Sequence, residues 1–251
     1  MDIDGQGQDE DLGRAVGEVA GGRTDRGTLA QVARLARDSM KAAGARSLAT
    51  GQWLAEAALD TVPHIPVRDA ATLSAQHGGL TGGRLADEVV RSASRTTAGL
   101  GAVAGALAGA HELAPPTWPA IPAELLVETL AVVAVEMKLV AELQEVYGMP
   151  VEGTPNERSM AIVRAWAEGR GVTARALVKP GGLAQLMGRG SRRELVHMLR
   201  RRLAMRAVRN MSALAPLMAG AVAGAELNRR ATRSLGEKVV RDLSSRRPVR
   251  S

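Results

Sequence analysis

Gly-Ala-Val-Ala-Gly-Ala stands at residues 101–106 and again at residues 220–225, each copy inside an uncharged tract of 15 residues, 96–110 and 211–225. Gly101, Gly105 and Gly109 recur every fourth residue in the first tract, and Gly220 and Gly224 do so in the second. A glycine costs a helix about 0.5–1 kcal/mol relative to alanine. Glycines at helical spacing therefore need a compensating gain, and close approach of another helix backbone supplies it. The two tracts are expected to be packing faces of one helical core.

The surrounding sequence carries the same reading along the chain. There is no phenylalanine and one tyrosine, so the core must be built from Leu, Val, Ala and Met, which suits packed helices better than sheets. Thr28 is placed to cap a helix with Leu29, Val32, Leu35, Ala36 and Met40 on one face. A second helix is expected from about Arg46 to Thr61, ended by Pro63 and Pro66, and a short one over 69–76. Thr81 starts a long helix into the first glycine tract. The proline-rich stretch 115–122 then forms a stiff crossover. From Leu125 to Val146 the chain is apolar nearly all round, and Gly148 stops that helix.

Two capping boxes, Thr154/Glu157 and Ser191/Glu194, open further helices, and a last one from about Pro216 holds the second glycine tract. No alternating strand pattern interrupts the series. The predicted fold is all-α, a single multi-helix bundle with the two glycine-rich helices packed in its core. Residues 1–27, acidic and Gly-rich, are expected to be a disordered extension; 28–243 form the helical domain, and 244–251 a basic tail.

Length limits the membrane reading. Crossing a bilayer takes about 20 apolar residues, whereas each tract of 15 residues gives only about 22 Å of helix at ~1.5 Å rise. The third apolar stretch is interrupted by Glu128, Glu136, Lys138 and Glu142. Buried soluble-core helices are therefore expected rather than spans. No secretory signal opens the chain, so a cytoplasmic protein is expected, peripheral to the membrane if it touches one.

Charge is divided along the chain. Residues 1–155 hold 12 basic and 20 acidic side chains, net −8; residues 156–251 hold 21 and 6, net +15. Arginine outnumbers lysine 29 to 4, a bias that a GC-rich bacterial genome would produce by itself. The asymmetry still suggests a partner for the basic half: an anionic lipid surface, an acidic protein, or, less well supported, a nucleic acid. Candidate anion or membrane contacts are Arg192, Arg193, Arg200, Arg201, Arg202, Arg206 and Arg209. Neither a helix-turn-helix spacing nor aromatic stacking platforms support the nucleic-acid reading.

Catalytic signatures are missing. Without cysteine there is no thiol nucleophile or thiolate metal site, and His64, His77, His111 and His197 are scattered. No catalytic, cofactor-binding or metal-ligating residue is assigned, and no cofactor is implied. A soluble enzyme or small-ligand binder would have to use Glu136 or Glu128, since a carboxylate buried in an apolar helix has its pKa raised. The structural alternative pairs Lys138 with Glu142 one turn away, joins Glu136 to a cation of the basic half, and lets Asn228 set helix register by hydrogen bonding.

Three stretches resemble the EcsC family of bacterial proteins: Gln52-Trp53-Leu54-Ala55-Glu56; Val135-Glu136-Met137-Lys138-Leu139-Val140 on to Val146-Tyr147-Gly148; and residues 217–228 with Thr232-Arg233-Ser234-Leu235-Gly236. The resemblance covers roughly residues 30–243. It implies a single α-helical domain spanning the charge boundary, without an established activity and with no catalytic residues to carry over.

Overall fold

The computed structural model describes residues 3–49, 51–110, 123–170 and 217–246, together with Val196 and Arg200. Among these the chain is all-α: α1 (Ile3–Ala20), α2 (Arg26–Ala49), α3 (Gln52–Thr61) with a 3-10 turn (Val62–His64), α4 (Ala70–Gln76), α5 (Gly82–Ala110), α6 (Ala123–Val146), α7 (Pro155–Gly169) and α8 (Leu217–Arg246). No strand occurs among the described residues.

α6 is the axis of the bundle. Its apolar residues point in every direction, so no face can be left to water, and all the other α-helices pack against it. Leu130, Val133, Met137, Val140 and Leu143 are all at most 1% exposed. The helix ends where the sequence predicts. Gly148 takes a left-handed φ of 67°, its N–H bonds to Glu145 O, and Met149 N–H reaches back to Gln144 O. That pair of bonds is a Schellman cap, which only a residue tolerant of positive φ forms without strain.

Local signals set the other boundaries. At α7 the capping box closes in both directions: Thr154 N–H donates to Glu157 Oε2 at 2.8 Å and Glu157 N–H donates to Thr154 Oγ1 at 3.3 Å. Asp69 caps α4 by accepting from Thr72 N–H at 2.7 Å. The cap of α2 differs from expectation: Asp25, not Thr28, accepts from Thr28 N–H at 3.0 Å and from its hydroxyl at 2.7 Å. The helix expected over 46–61 is divided, with Gly51 in the left-handed region at φ 71° between α2 and α3. A second break, Gly44 at φ 79°, kinks α2.

The expectation of a disordered N-terminal extension is corrected. Residues 3–20 form α1, and Leu12, Ala15, Val16, Val19 and Ala20 lie in the core. Composition misled here, because acidic residues occupy the outer face while an apolar stripe at helical spacing faces α2, α3 and α6. Gly13 lets α1 approach closely: a Cβ there would stand 2.7 Å from the Asp60 carbonyl oxygen.

α5 and α8 form the most extensive helix pair. They run antiparallel, since Gly236 packs on Val90 at one end and Gly224 on Gly101 further along. The two glycine tracts touch each other at Gly101 and Gly224, but at the surface side of the bundle rather than in its core, since Val222 beside Gly224 is 71% exposed and Val103 beside Gly101 44%. Gly105, Gly109 and Gly220 lie in these same helices, but their surroundings fall outside the described residues. So do the crossover at 115–122, the Ser191/Glu194 box and the basic tail from 247 onward.

Candidate functional site

Four helices bring polar groups into the apolar interior, and α6 contributes the carboxylates. Glu136 is fully buried. Its carboxylate accepts from Trp166 Nε1 at 3.0 Å, from Arg170 Nε at 3.0 Å and again from Arg170 Nη2, and from Thr232 Oγ1 at 3.1 Å. These donors occupy about the four lone-pair sites that a carboxylate offers. Trp166 and Arg170 come from successive turns of α7 and its C-cap, which is why one helix presents both to the same carboxylate.

The network continues across the α5–α8 seam. Thr97 of α5 lies with its hydroxyl 3.0 Å from that of Thr232 of α8, so a hydroxyl relay runs Thr97, Thr232, Glu136. Arg170 Nη1 also donates to the carbonyl of Ala231 at 3.3 Å. One turn towards the glycine contact, Asn228 Nδ2 donates to Glu128 Oε1 at 2.6 Å. Asn228 is 1% exposed and Glu128 7%. The amide reaches Glu128 past Gly101, where a Cβ would stand 2.6 Å from the same Nδ2. The glycine pair and the Asn–Glu bond are thus one steric unit: a side chain at Gly101 would fill the space the amide uses.

A second charged group sits on the opposite flank of α6. Glu142 takes a bidentate fork from Arg68, Nε to Oε1 at 2.7 Å and Nη2 to Oε2 at 2.8 Å, and pairs with Lys138 Nζ at 2.6 Å. Lys138 also donates to the carbonyl of Pro66. Burial pushes the Lys138 ammonium below its usual range, and the neighbouring Glu142 opposes that shift. Arg68 is held above its ordinary range by its hydrogen bonds to Glu142. The group ties the loop after Ile65 and the start of α4 to the bundle axis.

The sequence-predicted residues therefore divide. Glu136, Glu128, Lys138, Glu142 and Asn228 are brought into paired interior positions, as the structural reading of the sequence anticipated. The cation for Glu136 is Arg170, which belongs to the basic half of the chain. Of the arginine candidates, Arg200 is half-buried; Arg192, Arg193, Arg201, Arg202, Arg206 and Arg209 lie outside the described residues. Sequence reasoning missed Arg170, Arg68, Thr97 and Thr232. A usable signal existed for one: Trp166 and Arg170 stand four residues apart, on one helix face. Neither Glu128 nor Glu136 lines the cleft that opens between α1, α3 and α7. No group of three or more metal-ligating side chains occurs among the described residues. No helix among them is long and apolar enough to cross a membrane.

Comparison with known proteins returns nothing similar: no family model matches the chain, and neither a curated protein nor a solved structure does.

Proposed function

We propose that this chain is a non-enzymatic helical accessory protein that docks peripherally on an anionic membrane surface through its Arg-rich C-terminal half. The observation that carries the reading is where paired charge ends up. The interior carboxylates Glu136 and Glu142 are neutralised by partners inside the bundle, Glu136 by Arg170 and Glu142 by Arg68 and Lys138. By contrast, Arg229, Arg230, Arg233 and Arg246 of α8 keep side-chain exposures of 50, 77, 54 and 59% and pair only with carboxylates of their own helix among the described residues. Such exposed pairs stabilise little and leave the arginines available to an anionic surface.

The resemblance of residues 52–56, 135–148, 217–228 and 232–236 to the EcsC family belongs to this proposal, as does a location on the cytoplasmic face of the membrane. The competing reading, an enzyme or ligand binder using Glu136 or Glu128, is disfavoured by the filled hydrogen-bond shell of Glu136, by the Asn228 amide bonded to Glu128, and by the absence of both from the lining of the cleft.

Liposome co-sedimentation tests the proposal. The protein is expected to sediment with vesicles containing anionic phospholipid and not with neutral ones, and to lose that binding when Arg229, Arg230, Arg233 and Arg246 become Ala together with Arg200, Arg201, Arg202 and Arg206. Equal recovery of both proteins with both vesicle types overturns it.

A further inference from the structure

α5 and α8 keep one register along their contact, with Gly236 on Val90 and Gly224 on Gly101. That register sets Arg230 opposite Arg95 and Val222 opposite Val103, and brings the end of α5 at Ala110 to the level where α8 starts at Leu217. Beyond the level of Arg95 and Arg230 the only charged residues of the two helices are Glu226 and Arg229, and residues 98–110 and 217–225 hold nothing but Ala, Gly, Leu, Val and Met. Of the four large apolar side chains exposed among the described residues, three lie on this end of the pair: Val103, Val222 and Leu227. The apolar surface of the bundle is thus gathered at one place.

Arginines stand at the base of that end. Arg91 and Arg95 share Glu88, and Arg229 and Arg230 share Glu226. Four guanidiniums less two carboxylates leave a net +2, and Arg95 and Arg230 keep 70 and 77% of their side-chain surface in solvent. An apolar end above an exposed cationic base matches the layering of an anionic lipid surface, with acyl chains beneath phosphates. A second copy of the chain fits less well, because a symmetric contact over this end would set the same cationic base against itself.

Length and backbone agree with that match. Both segments are helical, so their peptide groups are hydrogen-bonded internally and cost little to take out of water. The stretch from Thr96 to Ala110 is about 22 Å long at ~1.5 Å rise. That exceeds the roughly 15 Å of one hydrocarbon leaflet and falls short of the roughly 30 Å needed to cross both.

We infer that the paired ends of α5 and α8 insert part-way into an anionic phospholipid leaflet, with Val103 and Val222 among the acyl chains and Arg95, Arg229 and Arg230 at the phosphates. The inference rests on the membrane reading above and deepens it, from contact by charge alone to an inserting element.

The chain has no cysteine, so Val222→Cys gives a single attachment point for a nitrobenzoxadiazole fluorophore. Lys41→Cys, on an exposed position of α2, is the control. On vesicles containing phosphatidylglycerol the probe at position 222 is expected to shift to the blue and to be quenched by acyl-chain spin labels, and the probe at position 41 to do neither. The paired change Val103→Ser with Val222→Ser leaves the charge unaltered and should weaken vesicle binding about tenfold, while the circular dichroism spectrum is preserved. Sedimentation without a blue shift at position 222, equal signals at the two positions, or unchanged binding by the folded serine variant overturns insertion and leaves docking by charge standing. A blue shift that grows with protein concentration in the absence of vesicles overturns it in favour of a second copy. Failure to sediment with the anionic vesicles at all overturns both readings.

Discussion

Gly101 of α5 and Gly224 of α8 meet backbone to backbone: a Cβ built on Gly101 falls 2.6 Å from the Gly224 carbonyl oxygen, and one on Gly224 falls 3.0 Å from that of Gly101. Side chains separate most packed helices, at axis distances of about 8–10 Å; a glycine on each partner permits a closer approach. The approach in turn sets the register in which Thr97 meets Thr232 and Asn228 reaches Glu128. The interior polar network therefore depends on two missing side chains.

Gly101→Ala should consequently destabilise the bundle. The added methyl meets a carbonyl and the Asn228 amide, neither of which is the free end of a flexible side chain, so overpacking is expected to cost about 1–3 kcal/mol. Gly99→Ala, in the same helix with nothing within 4 Å of its Cβ, should instead stabilise by about 0.5–1 kcal/mol through helix propensity. Thermal denaturation reads both, at about 2–4 °C per kcal/mol for a chain of this size. Opposite signs are expected at two positions one half-turn apart; equal shifts would mean that the glycine contact is not tight in solution.

The Glu136–Arg170 pair makes a prediction by double-mutant cycle. Removing either partner alone, as Glu136→Leu or Arg170→Met, leaves a buried charge and should cost about 3–5 kcal/mol. Changing both together should cost clearly less than the sum, because neither charge is then stranded. Additive losses would show that the two groups are solvated separately and that the network is not closed.

The sequence made the class of the fold legible and left particular pairings hidden, for physical reasons. Apolar periodicity and caps are local, so the ends of α4, α6 and α7 were readable from Asp69, Gly148 and Thr154. A buried glutamate announces that it needs a donor, but not which one: Arg170 lies 34 residues beyond Glu136, and only the packing of α7 on α6 selects it. α1 was misread for a different reason. Gly13, Gly17 and Gly21 repeat the fourfold spacing that singled out α5 and α8, yet the acidic, glycine-rich composition around them argued for disorder. Spacing was the better guide, because what packs is one face and not the mean composition.

That correction is testable. Leu12 and Val16 are 1% and 0% exposed, so Leu12→Ala should cost about 2–5 kcal/mol, the range for large-to-small changes in a core. Deleting residues 1–20 should strip a face of α2, α3 and α6 and produce a chain that binds an apolar dye and melts without a cooperative transition. A truncated protein as stable as the full chain would return the segment to the role of an unpacked extension.

Acid should weaken the fold through its helix caps, with a sign that follows from the carboxylates' partners. Glu157 is held below its ordinary value of 4.5, first by the Thr154 backbone N–H and then by the Thr154 hydroxyl. Asp69 is lowered from 3.8 by the Thr72 N–H, and Asp25 by Thr28, hydroxyl first. A carboxylate whose folded-state pKa is depressed contributes stability that is complete above the unfolded value and is lost as pH falls through the folded one. Glu145, raised by burial and then by the charge of Asp69, has the opposite sign and partly offsets the loss. Melting temperature should therefore fall as pH drops below about 4.5, Glu157 first and the two aspartates after it. Glu157→Gln should lie below wild type at neutral pH and converge with it on acidification, since a protonated Glu157 and a glutamine make similar caps. A gap between the two melting curves that stays constant with pH would show that the Thr154–Glu157 bonds do not survive in solution.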